Sequence, residues 1–282
     1  MAQSRRFIQC DVFTSHPTKG NALAVVIDGA GLSQQQMAEF AAWTNLAETT
    51  FLSAPLDPMA DYKVRIFTPT REMPFAGHPT LGSCAAWRHC GGVPREAGLV
   101  RQECGVGIVE IDISSSVPAF VAPPTAIEPL ADADCEAIVR ALAVDPRKIV
   151  GSARLDNGPL WQVLELQCAD DVLAVDSARV RWPQFQSIGL IGRHRAGGEC
   201  DYEVRMLAPS SGMSEDPITG SLNAALAHWL LGMGRLNEDL LVAQGTRINR
   251  LGRVRIRPDG AVPGRVLIGG ESHILIEGSV TL

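Results

Sequence analysis

Alternating and apolar runs in the first part of the chain predict strands joined by turns and a helix. Residues 7–13 and 22–27 are apolar, β-branched or aromatic at most positions, which predicts two strands separated by a glycine-containing loop. The following segment repeats apolar residues at helical spacing, so we predict a helix with Ser33 as its N-cap and an end near Asn45. A strand, a second strand and a helix therefore open the fold.

The same patterns continue through the rest of the chain. Further strands are predicted at residues 62–67, 99–102, 107–113, 160–166, 202–207 and 273–282. Helices are predicted at residues 134–142 and 170–175, and two more apolar helices at 79–87 and 222–231. Strands and helices rarely alternate in strict order, which disfavours a doubly wound parallel sheet and favours mixed sheets, each wrapped around one helix.

Two short motifs occur twice in the chain. Glu-x-Pro-x-x-Gly stands at residues 72–77 and again at 215–220, 143 residues later. Arg-x-x-x-Pro precedes it at 65–69 and at 205–209, so the second copy has three extra residues between the motifs. In each copy the glycine opens a predicted buried helix. Two motifs that repeat in the same order argue against chance and indicate two related halves.

The length of 282 residues favours two domains. Pro118, Pro123 and Pro124 lie between the halves and make residues 114–129 the predicted linker. The final predicted strand suits either half by its pattern, and we assign it to the first. The predicted domains are residues 1–117 with 272–282, and residues 118–271.

Composition excludes several classes of protein. A hydrophobic content of 46% with 20% charged residues is typical of a globular protein, and a net charge of −6 argues against a nucleic-acid or anionic-membrane partner. No run of eighteen apolar residues and no signal-peptide core is present in the sequence, so we expect a cytoplasmic protein. The seven cysteines have no C-x-x-C spacing, which indicates small buried hydrophobic residues rather than disulfides or a zinc ribbon.

Motifs for phosphate, dinucleotide or metal binding are absent from the sequence. It contains no phosphate loop, no H-E-x-x-H, no G-x-S-x-G and no dinucleotide glycine fingerprint after the first strand. Its six histidines show no metal-ligand spacing. We therefore expect no metal and no cofactor.

Acid–base side chains cluster at the repeated glycines. His78 and Ser221 directly follow them, and Asp216 lies just before the second. A helix N-terminus has unpaired backbone N–H groups and a partial positive charge, so two such ends facing one cleft would suit a small carboxylate ligand. The alternatives are two ordinary capped helices and a histidine that is merely packed.

Glu48 lies where a helical pattern changes to a β-branched strand pattern. Irregular backbone at such a junction exposes a side chain to a cleft, which makes Glu48 a candidate acid–base group. From residue type alone, a glutamate on the solvent-exposed surface is the favoured interpretation, because glutamate is mostly exposed in proteins.

Several separated motifs together resemble the phenazine-biosynthesis isomerase (PhzF-like) family over nearly the whole chain. They are Asp11-Val12-Phe13, Gly20-Asn21-Ala22-Leu23-Ala24-Val25, Asn45-Leu46-Ala47-Glu48-Thr49-Thr50-Phe51, the segments 65–69, 74–79 and 215–221, and Gln244-Gly245. The resemblance implies a diaminopimelate-epimerase-like α+β fold. In it, two pseudosymmetric domains each wrap a mixed sheet around a central helix, with the active site in the interdomain cleft.

The resemblance also implies an activity and a set of site residues. Family members of known activity isomerise trans-2,3-dihydro-3-hydroxyanthranilate by moving a proton between carbons, without a cofactor, and a homodimer is the family expectation. The acid–base glutamate of the family matches Glu48. The residues implied around it are His78, Asp216 and Ser221 as catalytic partners, and Gly77, Thr219 and Gly220 for substrate binding.

Some residues depart from the family pattern and leave alternatives open. Ala22 stands where many relatives have proline, and Leu222 stands where alanine is usual, so we expect Leu222 to narrow the pocket. Epimerases on this fold place a cysteine at each matching helix start, where this chain has His78 and Ser221, and the nearest cysteine is Cys84. Epimerisation of a small amino or hydroxy acid remains an alternative, as does a non-catalytic metabolite-binding protein.

Overall fold

The chain folds as two compact units. A computed structural model describes residues 2–176, 178, 187–207 and 214–282. Contacts group Met1–Val121 with Gly269–Leu282 as the first unit and Ala122–Ile268 as the second. The two-domain division at residues 117/118 and 271/272 stays a prediction. The second Arg-x-x-x-Pro motif ends at Ala208 and Pro209, which lie outside the described residues.

Seventeen strands and five helices account for most of the described chain. The first unit begins with β1 (Ser4–Val12), β2 (Asn21–Val26), α1 (Gln34–Thr44), β3 (Glu48–Ser53), β4 (Tyr62–Phe67), β5 (Glu72–Met73), α2 (Gly77–His89), β6 (Leu99–Cys104), β7 (Gly107–Asp112) and β8 (Ala119–Val121). The second unit contains β9 (Ala126–Glu128), α3 (Asp132–Leu142), β10 (Ile149–Asp156), β11 (Leu160–Leu166), α4 (Ala169–Ala174), β12 (Ile188–Arg193), β13 (Tyr202–Leu207), α5 (Gly220–Gly232), β14 (Leu240–Gln244), β15 (Gly252–Pro258) and β16 (Val266–Gly269). The last strand is β17 (Ser272–Thr281).

Strand pairing follows the same order in both units. In the first, β1 is antiparallel to β17 and β2, β2 is parallel to β3, β3 is antiparallel to β4, and β4 is parallel to β6. In the second, β10 is antiparallel to β9 and β11, β11 is parallel to β12, β12 is antiparallel to β13, and β13 is parallel to β14. Because β17 pairs with β1, the final strand belongs to the first unit.

One helix in each unit is largely buried. Nine of the thirteen residues of α2 and nine of the thirteen residues of α5 are buried, whereas α1 and α3 each bury three of eleven. The helices α2 and α5 are therefore the central ones, and both begin at the glycine of the repeated motif. The mixed α+β arrangement predicted from the sequence is confirmed.

Some sequence predictions need correction. The region 114–129 is not a plain linker, because it contains β8 and β9, which both pair with neighbouring strands. The cysteines are also less uniformly buried than expected: Cys10, Cys84, Cys104 and Cys200 are buried, whereas Cys90, Cys135 and Cys168 are partly exposed.

Membrane-spanning helices and metal-binding clusters are both absent from the described residues. No described helix is long and apolar enough to cross a membrane. Within the described ranges, no group of three or more His, Cys, Asp or Glu side chains is arranged to hold a metal ion.

Candidate functional site

Glu48 is the first residue of β3, where the chain turns from helix to strand. The helix α1 ends at Asn45, whose left-handed backbone (φ 53°) redirects the chain. The strand β3 then pairs in parallel with β2, with Glu48 opposite Leu23. The Glu48 side chain is 17% exposed. The junction predicted from the sequence therefore holds a carboxyl group that is mostly, but not fully, shielded from solvent.

His78 lies beside Glu48, in the first turn of α2. Its Nε2 atom is 3.4 Å from Glu48 Oε2, and its side chain is 5% exposed. Burial lowers the pKa of His78 to about 3, partly offset by a hydrogen bond to the backbone of Ala22. At neutral pH the contact therefore joins a carboxyl group to a neutral imidazole and is not an ion pair. A neutral imidazole nitrogen donates to a carboxylate or accepts from a carboxylic acid, depending on the tautomer.

Neighbouring residues of the first unit fix the position of His78. Asn21 Nδ2 lies 3.4 Å from His78 Nδ1, and the preceding Gly20 donates its N–H to buried Asp11. A side chain at Gly20 would come within 2.3 Å of the Val12 carbonyl oxygen, so the loop closes on β1 only with glycine there. The Gly-Asn sequence thus places an amide against the imidazole.

Close packing also fixes the N-terminal half of α2. A Cβ atom at Gly82 would lie 2.6 Å from a methyl group of Leu23, so the helix approaches β2 through this glycine. The N-cap residue Ala76 has no side chain able to cap the helix. The start of α2, including Gly77, therefore keeps the polarity that favours negative charge.

A buried hydrogen-bond network surrounds Asp216 in the second unit. Thr219 Oγ1 donates to Asp216 Oδ2 at 2.5 Å, and the Thr219 N–H donates to Gln244 Oε1 at 3.0 Å. Asn223 Nδ2 donates to the Thr219 carbonyl and to Gln244 Oε1, both at 2.9 Å. Asp216 is 8% exposed, Thr219 7%, and the two amide side chains are fully buried.

The helix α5 begins at Gly220 and Ser221, just after this network. Its N-cap is Thr219, whose hydroxyl is turned to Asp216 and does not cap the helix. The Ser221 carbonyl accepts a hydrogen bond of 2.8 Å from Asn157 Nδ2. Gly220 is buried and Ser221 is partly exposed.

Leu222 does not have the role expected from the sequence. Its side chain is fully buried and lies over Gly189 of β12, where an added Cβ would meet a Leu222 methyl at 2.9 Å. The leucine therefore fills a gap left by a glycine in the core of the second unit. The expectation that it narrows a pocket is wrong, because the side chain points into the sheet.

The predicted site residues form one group in each unit. The first unit brings together Glu48, His78 and Gly77, and the second brings together Asp216, Thr219, Gly220 and Ser221. The roles of Asn21, Asn223 and Gln244 were not predicted, because each has a partner far away along the chain, at 57, 21 and 25 residues. Only the Gly-Asn and Gln-Gly motifs pointed to two of them.

Comparison with known proteins identifies related chains of the same length. Residues 10–278 match the model of the family described as phenazine biosynthesis-like protein. Antisense-enhancing sequence 1 of Schizosaccharomyces pombe is 31% identical over 293 residues, covering 96% of this chain and 97% of that protein. Trans-2,3-dihydro-3-hydroxyanthranilate isomerase of Pseudomonas chlororaphis is 28% identical over 288 residues, covering 98% and 99%.

Solved structures share the fold of this chain. A phenazine biosynthesis protein of the PhzF family from Bacillus anthracis superposes with a TM-score of 0.85 at 21% identity, covering 99% of this chain and 100% of that chain. A hydroxyproline epimerase from Agrobacterium vitis superposes with a TM-score of 0.66 at 12% identity, covering 100% and 92%. At these identities the similarity shows the fold, which is the epimerase-like one expected from the sequence.

Proposed function

This chain belongs to the phenazine biosynthesis-like family and is an isomerase, and we propose that it moves a proton between carbons of a small cyclic or amino-acid-like carboxylate. The observation that carries the proposal is the contact between the Glu48 carboxyl group and the neutral imidazole of His78. A carboxylate that takes a proton from one carbon and returns it to another performs this reaction without a metal or a redox cofactor.

Glu48 acts as the single acid–base group in this proposal. It removes a proton from an activated C–H bond and, as the carboxylic acid, returns the proton to another carbon on the same face of the substrate. His78 stays neutral during these steps. Its Nε2 atom lies 3.4 Å from Glu48 Oε2, and in this proposal it accepts a hydrogen bond from the protonated Glu48 or donates one to the carboxylate.

The remaining site residues bind the substrate and stabilise charge. Asp216 holds an amino or hydroxyl group of the substrate with the help of Ser221. Negative charge develops on the substrate as the proton leaves, and backbone N–H groups such as those near Gly77 at the start of α2 and near Gly220 at the start of α5 are donors of the kind that stabilise it.

The residue types favour a one-base isomerisation over a two-thiol epimerisation. The corresponding helix starts carry His78 and Ser221 rather than two cysteines. Cys84 lies six residues after His78 along α2, and burial raises the pKa of its thiol to about 12. A buried thiol of this kind is inert as a base near neutral pH.

We choose trans-2,3-dihydro-3-hydroxyanthranilate as the first substrate to test, because the Pseudomonas chlororaphis relative is named for its isomerisation. The experiment is proton NMR of this compound with the purified, EDTA-dialysed protein in D₂O. Loss of substrate signals together with deuterium incorporation supports the proposal. An unchanged spectrum rejects this substrate, and a panel of small amino and hydroxy acids screened for deuterium exchange then tests the wider proposal.

Assembly and location are tested separately. We propose that the protein is a homodimer, and light scattering coupled to size-exclusion chromatography measures its mass directly. A mass equal to one chain would reject this. The cytoplasmic location is tested by fractionating cells that express the tagged chain.

A further inference from the structure

We propose that Gln244 is a positioning residue that orients the Asp216 carboxylate through the Thr219 hydroxyl. This inference rests on the proposed function, in which Asp216 contacts the substrate. It gives Thr219 a positioning role in place of the substrate contact expected from the sequence.

The orientation of the Gln244 side-chain amide is fixed by its partners. Its Oε1 atom accepts from the backbone N–H of Thr219 at 3.0 Å. A backbone N–H only donates, so the atom facing it has to be the amide oxygen. Asn223 Nδ2 approaches the same oxygen at 2.9 Å, which agrees with this assignment.

The orientation of the amide determines the direction of the next hydrogen bond. With Oε1 turned to the Thr219 N–H, the Gln244 Nε2 atom donates to Thr219 Oγ1 at 2.9 Å. The hydroxyl accepts this bond and directs its own proton elsewhere. This proton is donated to Asp216 Oδ2, 2.5 Å away.

The chain around Gln244 is closely packed. Gly245 has a left-handed backbone (φ 85°), and a Cβ atom there would lie 2.6 Å from the Pro217 carbonyl oxygen. Gln244 contacts both ends of the segment from Asp216 to Thr219, and Gly245 lies against Pro217 between them. Gln244, Thr219 and Asp216 form a hydrogen-bond relay. All three side chains are at least nine-tenths buried, so water does not compete for their hydrogen bonds.

Three variants separate positioning from packing. Thr219→Val removes the hydroxyl at nearly constant volume, and Thr219→Ser keeps it. Gln244→Glu replaces the donating NH₂ group by an oxygen that accepts, so the Thr219 hydroxyl donates to the new carboxylate and no longer to Asp216. Crystal structures of the variants report the Asp216 orientation, and kcat/KM for the substrate of the proposed function reports its consequence.

We expect the Asp216 carboxylate to rotate in Thr219→Val and in Gln244→Glu, and to keep its orientation in Thr219→Ser. Thr219→Val and Gln244→Glu should lose about 10- to 100-fold in kcat/KM, the usual cost of misplacing a reacting group. Thr219→Ser should keep most of the wild-type kcat/KM. An unmoved Asp216 in both variants overturns the relay. So does a rotated Asp216 with unchanged kcat/KM. If the wild-type protein is inert towards every substrate tested, the proposed function fails, and the crystal structures alone decide whether the relay exists.

Discussion

The Arg205 guanidinium and the Glu215 carboxylate form two parallel hydrogen bonds in the interior of the second unit, of 3.0 Å from Nε and 2.6 Å from Nη2. Arg65 and Glu72 form the same pair in the first unit, at 2.7 and 2.6 Å. These are the arginine and glutamate of the repeated motifs. Their shared role is to clamp the loop before each central helix to the strand that precedes it.

Burial differs between the two clamps and predicts different stabilities. Glu215 and Arg205 side chains are each 1% exposed, whereas Glu72 and Arg65 are 31% and 29% exposed. Glu215→Gln leaves a buried guanidinium without its counter-charge and should cost about 3–5 kcal/mol of unfolding free energy. Glu72→Gln, the matched variant, should cost about 1 kcal/mol or less. Urea denaturation measures both losses. Equal losses would contradict the claim that burial makes the Arg205–Glu215 pair more important for stability than the Arg65–Glu72 pair.

Leu222 and Gly189 should behave as one packing unit. Gly189→Ala forces a methyl group against Leu222 and should cost about 1–3 kcal/mol. Leu222→Ala opens a cavity and should cost about 2–5 kcal/mol. In the double variant the added methyl occupies part of the cavity. The double variant should therefore lose less unfolding free energy than the sum of the two single variants, by about 0.5–3 kcal/mol. Additive losses in thermal or urea unfolding would show that the two residues do not contact each other.

The neutral state of His78 predicts how stability changes with pH. Its pKa is about 3 in the folded protein, below the ordinary value of 6.5, so below pH 6.5 the unfolded chain binds a proton that the folded one does not. Stability should therefore fall as the pH is lowered from 6.5 towards 3, by about 2 kcal/mol between pH 7 and pH 5. His78→Gln should lack this part of the loss, as measured by urea unfolding at both pH values.

The matched control for this measurement is His89→Gln, at the exposed end of the same helix. The His89 side chain is 41% exposed and lies 3.0 Å from Glu277, so its replacement reports the effect of the same substitution outside the buried site. An identical pH dependence for wild-type protein and His78→Gln would mean that His78 is already charged near pH 6.

Local signals explain which elements were predictable. The helix α1 is bounded by a capping box at Ser33 and by left-handed Asn45, both encoded within a few residues. The strands β4, β11 and β13 were predicted at their observed bounds, because apolar residues alternate with charged ones in β4 and β13 and dominate β11. The strand β12 was missed because Gly189 and Gly192 weaken its pattern.

Tertiary packing explains what was not predictable. Gly192 is required because a Cβ atom there would lie 2.5 Å from the Cys168 carbonyl oxygen, a contact that no local pattern encodes. The same holds for the site. The repeat located both helix starts, but the bonds from Gln244 to Thr219 depend on β14 lying beside the start of α5.

Replacement of Asp216 tests whether the second group of residues takes part in the reaction. Asp216→Asn keeps the size of the side chain but removes its charge, so kcat/KM should fall by about 10- to 100-fold, as expected for the loss of a positioned substrate contact. Asp239→Asn, at an exposed position of the same unit, should have no effect. A wild-type kcat/KM in Asp216→Asn would exclude this residue from the reaction.

The most direct test of the central claim is the rate of deuterium incorporation into substrate by Glu48→Gln, followed by proton NMR in D₂O. Exposed Glu39 on α1 provides the matched control, Glu39→Gln. If Glu48 is the acid–base group, Glu48→Gln should fold like the wild-type protein and lose about 10²- to 10⁴-fold in rate, while the control keeps the full rate. A wild-type rate of incorporation in Glu48→Gln would contradict the account.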